Sequence, residues 1–152
     1  MTKDSDNGLS AEERAAVKDA VKEKRAARSR KKTDPEEARR EGEAEVQAKI
    51  AEMDDADRSL AEAVHRLVAE NAPHLVPRTY YGMPAYADAD GKIVLFFKPK
   101  AKFKVRYATV DFEWAAQLDD GALWPTRYAV IALGEGERSL LAERIRTAAP
   151  TR

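Results

Sequence analysis

The segment TYYGMPAYADADGKIVLFF, from Thr79 to Phe97, constrains the fold more than any other part of this chain. The residues before about Asn71 are mostly charged residues and alanine, and the large apolar residues are concentrated after about position 60. The core must therefore form mainly from the C-terminal two thirds of the 152 residues. An Asp-Gly turn at Asp88–Gly91 followed by the β-branched and aromatic run Ile93–Phe97 predicts a β-hairpin here.

Capping signals and apolar periodicity predict three helices before this segment. Ser10 and Glu13 have capping-box spacing, so a first helix is expected from Ala11 to about Lys31. Asp34 caps a second helix, which begins at Pro35 and ends near Met53. Asp54 or Asp55 caps a third helix, which ends near Asn71. Its apolar residues share one face: Leu60, Val64, Leu67 and Val68.

After the third helix the pattern becomes extended. Strands are predicted near Arg78–Tyr81, Ala85–Ala87, Ile93–Phe97, Phe103–Thr109 and Tyr128–Leu133, with an irregular turn at Gly82–Pro84, a short helix at Asp111–Gln117 and a last helix at Glu137–Ala148. This order predicts an α+β fold with a small, curved, mostly antiparallel sheet of about four to five strands backed by helices. The chain divides into a charged helical extension over residues 1–55 and an α+β domain over residues 56–149.

Composition excludes several classes of function. The net charge is zero, so no overall field attracts nucleic acid or membrane. There is no cysteine, which removes disulfides, thiolate metal sites and cysteine nucleophiles. No apolar run approaches the roughly 18 residues of a membrane span, and MTKDSDNGLS has no signal-peptide core. We expect a soluble cytoplasmic protein that has no membrane partner.

Aromatic and cationic residues around the hairpin are candidates for ligand binding. The Gly82-Met83-Pro84 turn is either a bend that anchors tyrosines in the core or the rim of an aromatic pocket. The alternating cations of KPKAKFKVR, from Lys98 to Arg106, form either a solvated surface or a site for a carboxylate, a phosphate or an acidic partner. The candidate pocket residues are Tyr81, Met83, Tyr86, Lys104, Arg106 and Trp124.

The charge of the N-terminal region is uneven. Residues 1–32 carry ten Lys and Arg against six Asp and Glu, whereas residues 33–58 carry four against ten. The basic run could bind nucleic-acid phosphates through Lys22, Lys24, Arg25, Arg28, Arg30, Lys31 and Lys32. It could equally pair with the acidic segment that follows, and it contains no interleaved aromatic residues.

Two groups of residues are candidate metal ligands. Glu62 and His65 have the Glu-x-x-His spacing that di-iron bundles use twice, although it occurs once here. Asp111, Glu113, Asp119 and Asp120 could bind a hard cation, but Asp111 could also cap a helix and Asp-Asp-Gly suits a turn. No nucleophile–base arrangement is recognisable, so the sequence does not indicate an enzyme.

Tyr81-Gly82-Met83-Pro84-Ala85-Tyr86, which follows a capped helix and Pro73 and precedes a hairpin, resembles the signature of the YdhG-like family of small cytoplasmic domains. The resemblance covers about residues 56–148 and includes KFKVRYATVDF and LWPTRYAVIAL. It implies the α+β fold and a non-enzymatic binding module. One branch of that family is described as a frataxin-like intracellular iron chaperone, so iron is the cofactor or cargo that the resemblance implies. An unidentified protein partner or a small anionic ligand are the other expected partners.

Overall fold

A computed structural model describes residues 8–30 and 34–151 of the chain. The helices are α1 (Ala11–Arg30), α2 (Pro35–Ala51), α3 (Asp55–Asn71), α4 (Lys100–Phe103) and α5 (Glu135–Ala148), and the strands are β1 (Val76–Tyr80), β2 (Met83–Ala87), β3 (Ile93–Lys98), β4 (Ala108–Phe112) and β5 (Arg127–Val130). All neighbouring strands are antiparallel, in the spatial order β1-β2-β3-β4-β5. The predicted α+β class and antiparallel sheet are therefore confirmed. No described helix is long and apolar enough to cross a membrane.

The predicted caps define the starts of the first three helices. The Ser10 hydroxyl accepts a hydrogen bond from the Glu13 N–H, and the Glu13 carboxylate accepts one from the Ser10 N–H. The Asp34 carboxylate accepts from the Glu36 N–H, and the Asp54 carboxylate accepts from the Asp57 N–H. Short-range capping signals therefore located these helix starts to within one residue.

The main core lies between one face of the sheet and helices α2, α3 and α5. It includes Val46 and Ile50 of α2, which belong to the segment assigned to the N-terminal extension. Gly42 lets α2 lie directly on β1, because a Cβ at this position would collide with the Pro77 carbonyl oxygen. The opposite face of the sheet carries a smaller cluster, formed by Met83, Ala85, Phe96 and the partly buried residues packed against them.

The predicted strand Phe103–Thr109 begins five residues too early, since only Ala108 and Thr109 of that range lie in β4. Residues 100–103 form α4, Lys104 adopts a left-handed conformation (φ 54°), and the strand begins only at Ala108. The Asp57 carboxylate accepts hydrogen bonds from the Lys100 and Ala101 N–H groups, which favours a helical turn after Pro99. This long-range contact overrides the alternating pattern, and the cation row does not lie along one strand.

The predicted helix Asp111–Gln117 is also wrong. Asp111 lies in β4, where it pairs with Phe96 of β3 and Arg127 of β5. The Glu113 N–H then donates to the Val94 carbonyl oxygen, so the extended backbone continues past the expected helix start. The chain next makes a turn at residues 114–115. Asp111, which the sequence suggested as a helix cap, is therefore a strand residue.

The predicted irregular turn at Gly82–Pro84 lies one residue too late. The turn residues are Tyr81 and Gly82, while Met83 and Pro84 already belong to β2. Pro84 is tolerated in this strand because the pairing of β2 with β3 begins only at Ala85. The last strand is also shorter than predicted, since β5 ends at Val130.

Candidate functional site

The β1–β2 turn presents two backbone N–H groups outside the hairpin. Tyr81 and Gly82 both have positive φ, as a two-residue type I′ turn requires. Their N–H groups donate to the two carboxylate oxygens of Glu23 in α1, over 2.8 Å from Tyr81 and 2.9 Å from Gly82. One carboxylate thus spans two consecutive amides, which is how a turn recognises an anion.

Lysine side chains extend this anion-binding turn into a longer surface. Lys102 of α4 and Lys49 of α2 both approach Asp19 of α1, with N–O distances of 3.9 and 3.7 Å. Lys104, just after α4, pairs with Glu12 of α1 at 2.9 Å. We name the set Lys49, Tyr81, Gly82, Lys102 and Lys104 the α1-binding surface.

Helix α1 meets this surface with an acidic face. The apolar residues on that face are all small. Glu12, Asp19 and Glu23 follow the spacing i, i+7, i+11, which places them on one side of the helix. Ala16 and Ala20 on the same side are buried, whereas Val17 and Val21 are about half exposed. A hydrogen bond from Lys104 holds the pKa of Glu12 below its ordinary value. Polar contacts therefore dominate the attachment of α1.

Asp57 fixes the position of α4, and with it one side of the α1-binding surface. It lies in the first turn of α3, is 1% exposed, and accepts from the Lys100 and Ala101 N–H groups at 3.2 and 3.0 Å. A carboxylate at a helix N-terminus is favoured by hydrogen bonding and by the helix dipole. Asp57 therefore links the core helix α3 to the segment that carries Lys102 and Lys104.

A second polar group connects α2, α3 and β2. The His65 ring lies 2.8 Å from the Tyr86 hydroxyl through Nδ1 and 2.7 Å from Glu43 through Nε2. Burial and the Glu43 charge both raise the pKa of Tyr86, so its hydroxyl stays protonated. The ionised Glu43 carboxylate can only accept, so Nε2 is the donor in the His65–Glu43 contact. Because Tyr86 is 1% exposed, this network holds core elements together and does not present a nucleophile.

The stability contributed by Glu43 should depend on pH. Burial pushes the pKa of Glu43 upward, but hydrogen bonds from Gln47 and His65 outweigh it, and the net pKa lies below 4.5. The contribution is therefore complete above pH 4.5 and is lost as the pH falls through the folded-state pKa. Glu43→Gln should lower the free energy of unfolding by about 0.5 kcal/mol at pH 7, a value discounted for solvent exposure.

Urea denaturation of wild type and Glu43→Gln between pH 7 and pH 3.5 measures this difference. We expect it to shrink steadily below pH 4.5. Glu62→Gln is the matched control, because Glu62 is exposed on α3 and is not a partner of His65. A Glu43→Gln difference that grows as the pH falls would contradict the predicted direction.

The six candidate pocket residues do not share one site. Tyr81 and Lys104 belong to the α1-binding surface, and Met83 is buried in the smaller cluster. Tyr86 lies in the main core. The Arg106 guanidinium lies 5.0 Å from the centre of the Tyr107 ring, and Trp124 lines a separate cavity beside β4 and β5.

The structure brings three of the four candidate acidic residues to that separate cavity. Asp111, Glu113 and Asp119 line it, and the exposed Asp120 does not. One oxygen of Asp111 accepts a hydrogen bond from Arg127 at 2.9 Å. Within residues 8–30 and 34–151, no three His, Asp or Glu side chains are grouped so that they could hold a metal ion.

The candidate nucleic-acid residues lie on or just after α1. Lys22, Lys24, Arg25 and Arg28 are exposed. Lys24 and Arg28 line a shallow cavity that also contains Asp88 and Asp90 of the β2–β3 turn. The side chain of Arg30 and all of Lys31 and Lys32 lie outside the described residues.

Comparisons with protein-family models, with curated protein sequences and with solved structures find no significant match for this chain. The YdhG-like resemblance, and the iron-chaperone function that it implies, therefore stay predictions that rest on the signature residues alone.

Sequence reasoning did not bring the α1-binding surface together as one site. Lys49 and the three carboxylates of α1 were not singled out, and Lys102 was named only as one of the alternating cations of KPKAKFKVR. One signal was available: Glu12, Ala16, Asp19, Ala20 and Glu23 form a continuous acidic and alanine face, which a helix that packs by apolar contact would not carry. The α1-binding surface combines residues of α2, a turn and the segment around α4, so no single stretch of sequence contains all of it.

Proposed function

We propose that this chain is a non-enzymatic binding module that recognises an acidic helical segment on the α1-binding surface. In the free protein α1 occupies that surface as an internal ligand. The observation that carries the proposal is the Glu23 carboxylate bound by the Tyr81 and Gly82 N–H groups. Those groups face outward from a type I′ turn, so they are available to an external carboxylate whenever α1 leaves.

The length of the surface favours a helical ligand over a small metabolite. Glu12 and Glu23 are separated by eleven residues, or about 16 Å at about 1.5 Å per residue. Their partners are Lys104 at one end and the hairpin turn at the other, with Lys49 and Lys102 around Asp19 between them. A small anion could contact only one of these three points.

The contacts of α1 suit an exchangeable ligand. Solvent-accessible ion pairs contribute about 0–1 kcal/mol each, and the buried apolar side chains of α1 are the alanines Ala16 and Ala20. The covalent link to α2 strengthens these weak contacts, since a short connection gives an effective concentration in the millimolar range. A partner helix with the same acidic spacing and larger apolar residues could therefore replace it.

The test is binding in trans of a fluorescent peptide with the sequence of residues 9–30. The full chain with Glu12→Gln, Asp19→Asn and Glu23→Gln should bind this peptide at least about tenfold more tightly than wild type, because its own α1 no longer competes. Binding should weaken as salt rises from 50 to 500 mM, because exposed charges are screened.

Matched controls distinguish the site from general charge attraction. Lys102→Ala with Lys104→Ala, added to the triple variant, should abolish most of the binding. Lys100→Ala should leave it unchanged, because Lys100 is exposed on the same short helix and contacts Asp57 only through its backbone. Failure of the triple variant to bind the peptide, or equal loss with Lys100→Ala, would exclude the proposed surface.

A further inference from the structure

A second site lies in the cavity beside β4 and β5, away from the α1-binding surface. The cavity has a volume of about 560 Å³ and is bounded by the ends of both strands and by the loop that joins them. The residues that give it its chemistry are Asp111, Glu113, Asp119, Trp114, Trp124 and Arg127. Three carboxylates therefore face one guanidinium, and both tryptophans of the chain are present.

Asp111, one of the residues that line the cavity, has a carboxylate oxygen without a hydrogen-bond partner. The residue is 6% exposed, and one carboxylate oxygen accepts from Arg127 Nε at 2.9 Å. The other oxygen, Oδ1, is buried and has no hydrogen-bond partner among the described residues. A buried carboxylate oxygen without a donor is unfavourable, so a ligand N–H group that reached it would be bound strongly.

The tryptophans identify the shape of such a ligand. Trp114 is fully exposed and Trp124 is partly buried, and both line the cavity. An exposed tryptophan ring is costly to leave in water, and its face attracts cations. A planar guanidinium can stack on an indole while donating hydrogen bonds to carboxylates in its own plane.

From these features we infer that the cavity binds a guanidinium group, with its N–H groups directed at Asp111 and Glu113 and its plane against a tryptophan. The three carboxylates do not form a group that could hold a metal ion, whereas a guanidinium is large enough to contact them separately. Arg127 is the internal partner of Asp111. Because its side chain is 70% exposed, it can move aside without loss of packing.

Intrinsic fluorescence reports on this cavity directly, since both tryptophans line it. Titration of the full chain with N-acetyl-arginine amide should give a saturable change. The neutral isostere N-acetyl-citrulline amide should bind at least about tenfold more weakly, because it lacks the charge that strengthens hydrogen bonds to carboxylates. Equal responses to the two compounds would overturn the inference, and so would the absence of a saturable change with the arginine compound.

Surface variants keep the test independent of folding. Glu113→Gln and Asp119→Asn should each weaken binding of the arginine compound several-fold, while Asp120→Asn, which changes the adjacent residue outside the cavity, should have no effect. Unchanged binding in both cavity variants would overturn the inference.

Agmatine and the peptide Gly-Arg-Gly distinguish the source of the guanidinium group. Tighter binding of agmatine assigns the site to a free metabolite, and tighter binding of the peptide assigns it to a protein side chain.

Discussion

Gly42→Ala is expected to lower the free energy of unfolding by about 2 kcal/mol, although alanine is the better helix former. Gly42 is buried in α2, and a Cβ there would collide with the backbone carbonyl of Pro77 in β1. A backbone group cannot rotate away as a side chain can, so α2 or β1 would have to move. Overpacking of this kind costs roughly 1–3 kcal/mol or more, which exceeds the gain of about 1 kcal/mol in helix propensity.

Gly136→Ala in α5 is the matched control. Gly136 also lies in a helix, and apart from its chain neighbours and the backbone of its own helix no atom lies within 4 Å of the position that its Cβ would occupy. This variant should be as stable as wild type or more stable by a few tenths of a kcal/mol. Chemical denaturation of the three proteins gives the comparison. Equal gains in stability in both glycine variants would show that α2 does not lie against β1 as closely as described.

The helices before the sheet were predictable because their signals are local. Ser10 with Glu13, Asp34 with Pro35, and Asp54 each have a cap or first-turn residue within three positions of the helix start. The hairpin at Asp88–Gly91 was equally local. The Asp88 carboxylate accepts from the Asp90 and Lys92 N–H groups, which is the turn chemistry that Asp favours.

The errors occur where a distant residue decides the local structure. Alternating residues between Phe103 and Thr109 suit a strand by pattern, but Asp57 is 43 residues before Lys100 in the sequence and stabilises a helical turn there. Asp111 looked like a cap because Asp is a favoured N-cap residue, yet β3 and β5 pair on both sides of it. No window of the sequence contains both partners of these contacts, so propensity alone predicted the wrong element.

The same reason explains how little of the candidate site was predictable. Tyr81, Lys102 and Lys104 were identified because aromatic and basic residues cluster there. The rest of the α1-binding surface depends on how α1 and α2 return to the hairpin, since Glu23 and Tyr81 are separated by 58 residues. The binding group at Tyr81 and Gly82 is moreover the backbone, whose N–H groups carry no sequence signal beyond the turn itself.

Asp57→Ala is expected to cost about 3 kcal/mol of unfolding free energy and to loosen α4. Hydrogen bonds to a charged acceptor contribute about 1.5–3 kcal/mol each, and Asp57 accepts two of them in a site where it is 1% exposed. The variant leaves the Lys100 and Ala101 N–H groups without their acceptor. Asp57→Asn should cost about half as much. Asparagine keeps one of the two acceptor oxygens and replaces the other with an NH₂ group, which cannot accept a hydrogen bond.

Asp55→Ala separates this contact from the general effect of an acidic residue in the first turn of α3. Asp55 shares the favourable position near the helix N-terminus, but its side chain is 99% exposed and pairs only with Arg58 among the described residues. Its loss should cost less than about 1 kcal/mol. Amide hydrogen exchange then locates the effect: Lys100 and Ala101 should exchange faster in Asp57→Asn and at the wild-type rate in Asp55→Ala.

If α4 positions Lys102 for Asp19, the Asp57→Asn variant should also release α1. The amides of Tyr81 and Gly82 should then lose protection together with those of α4. Loss of protection confined to α4 would mean that the hairpin turn holds α1 without help from Lys102.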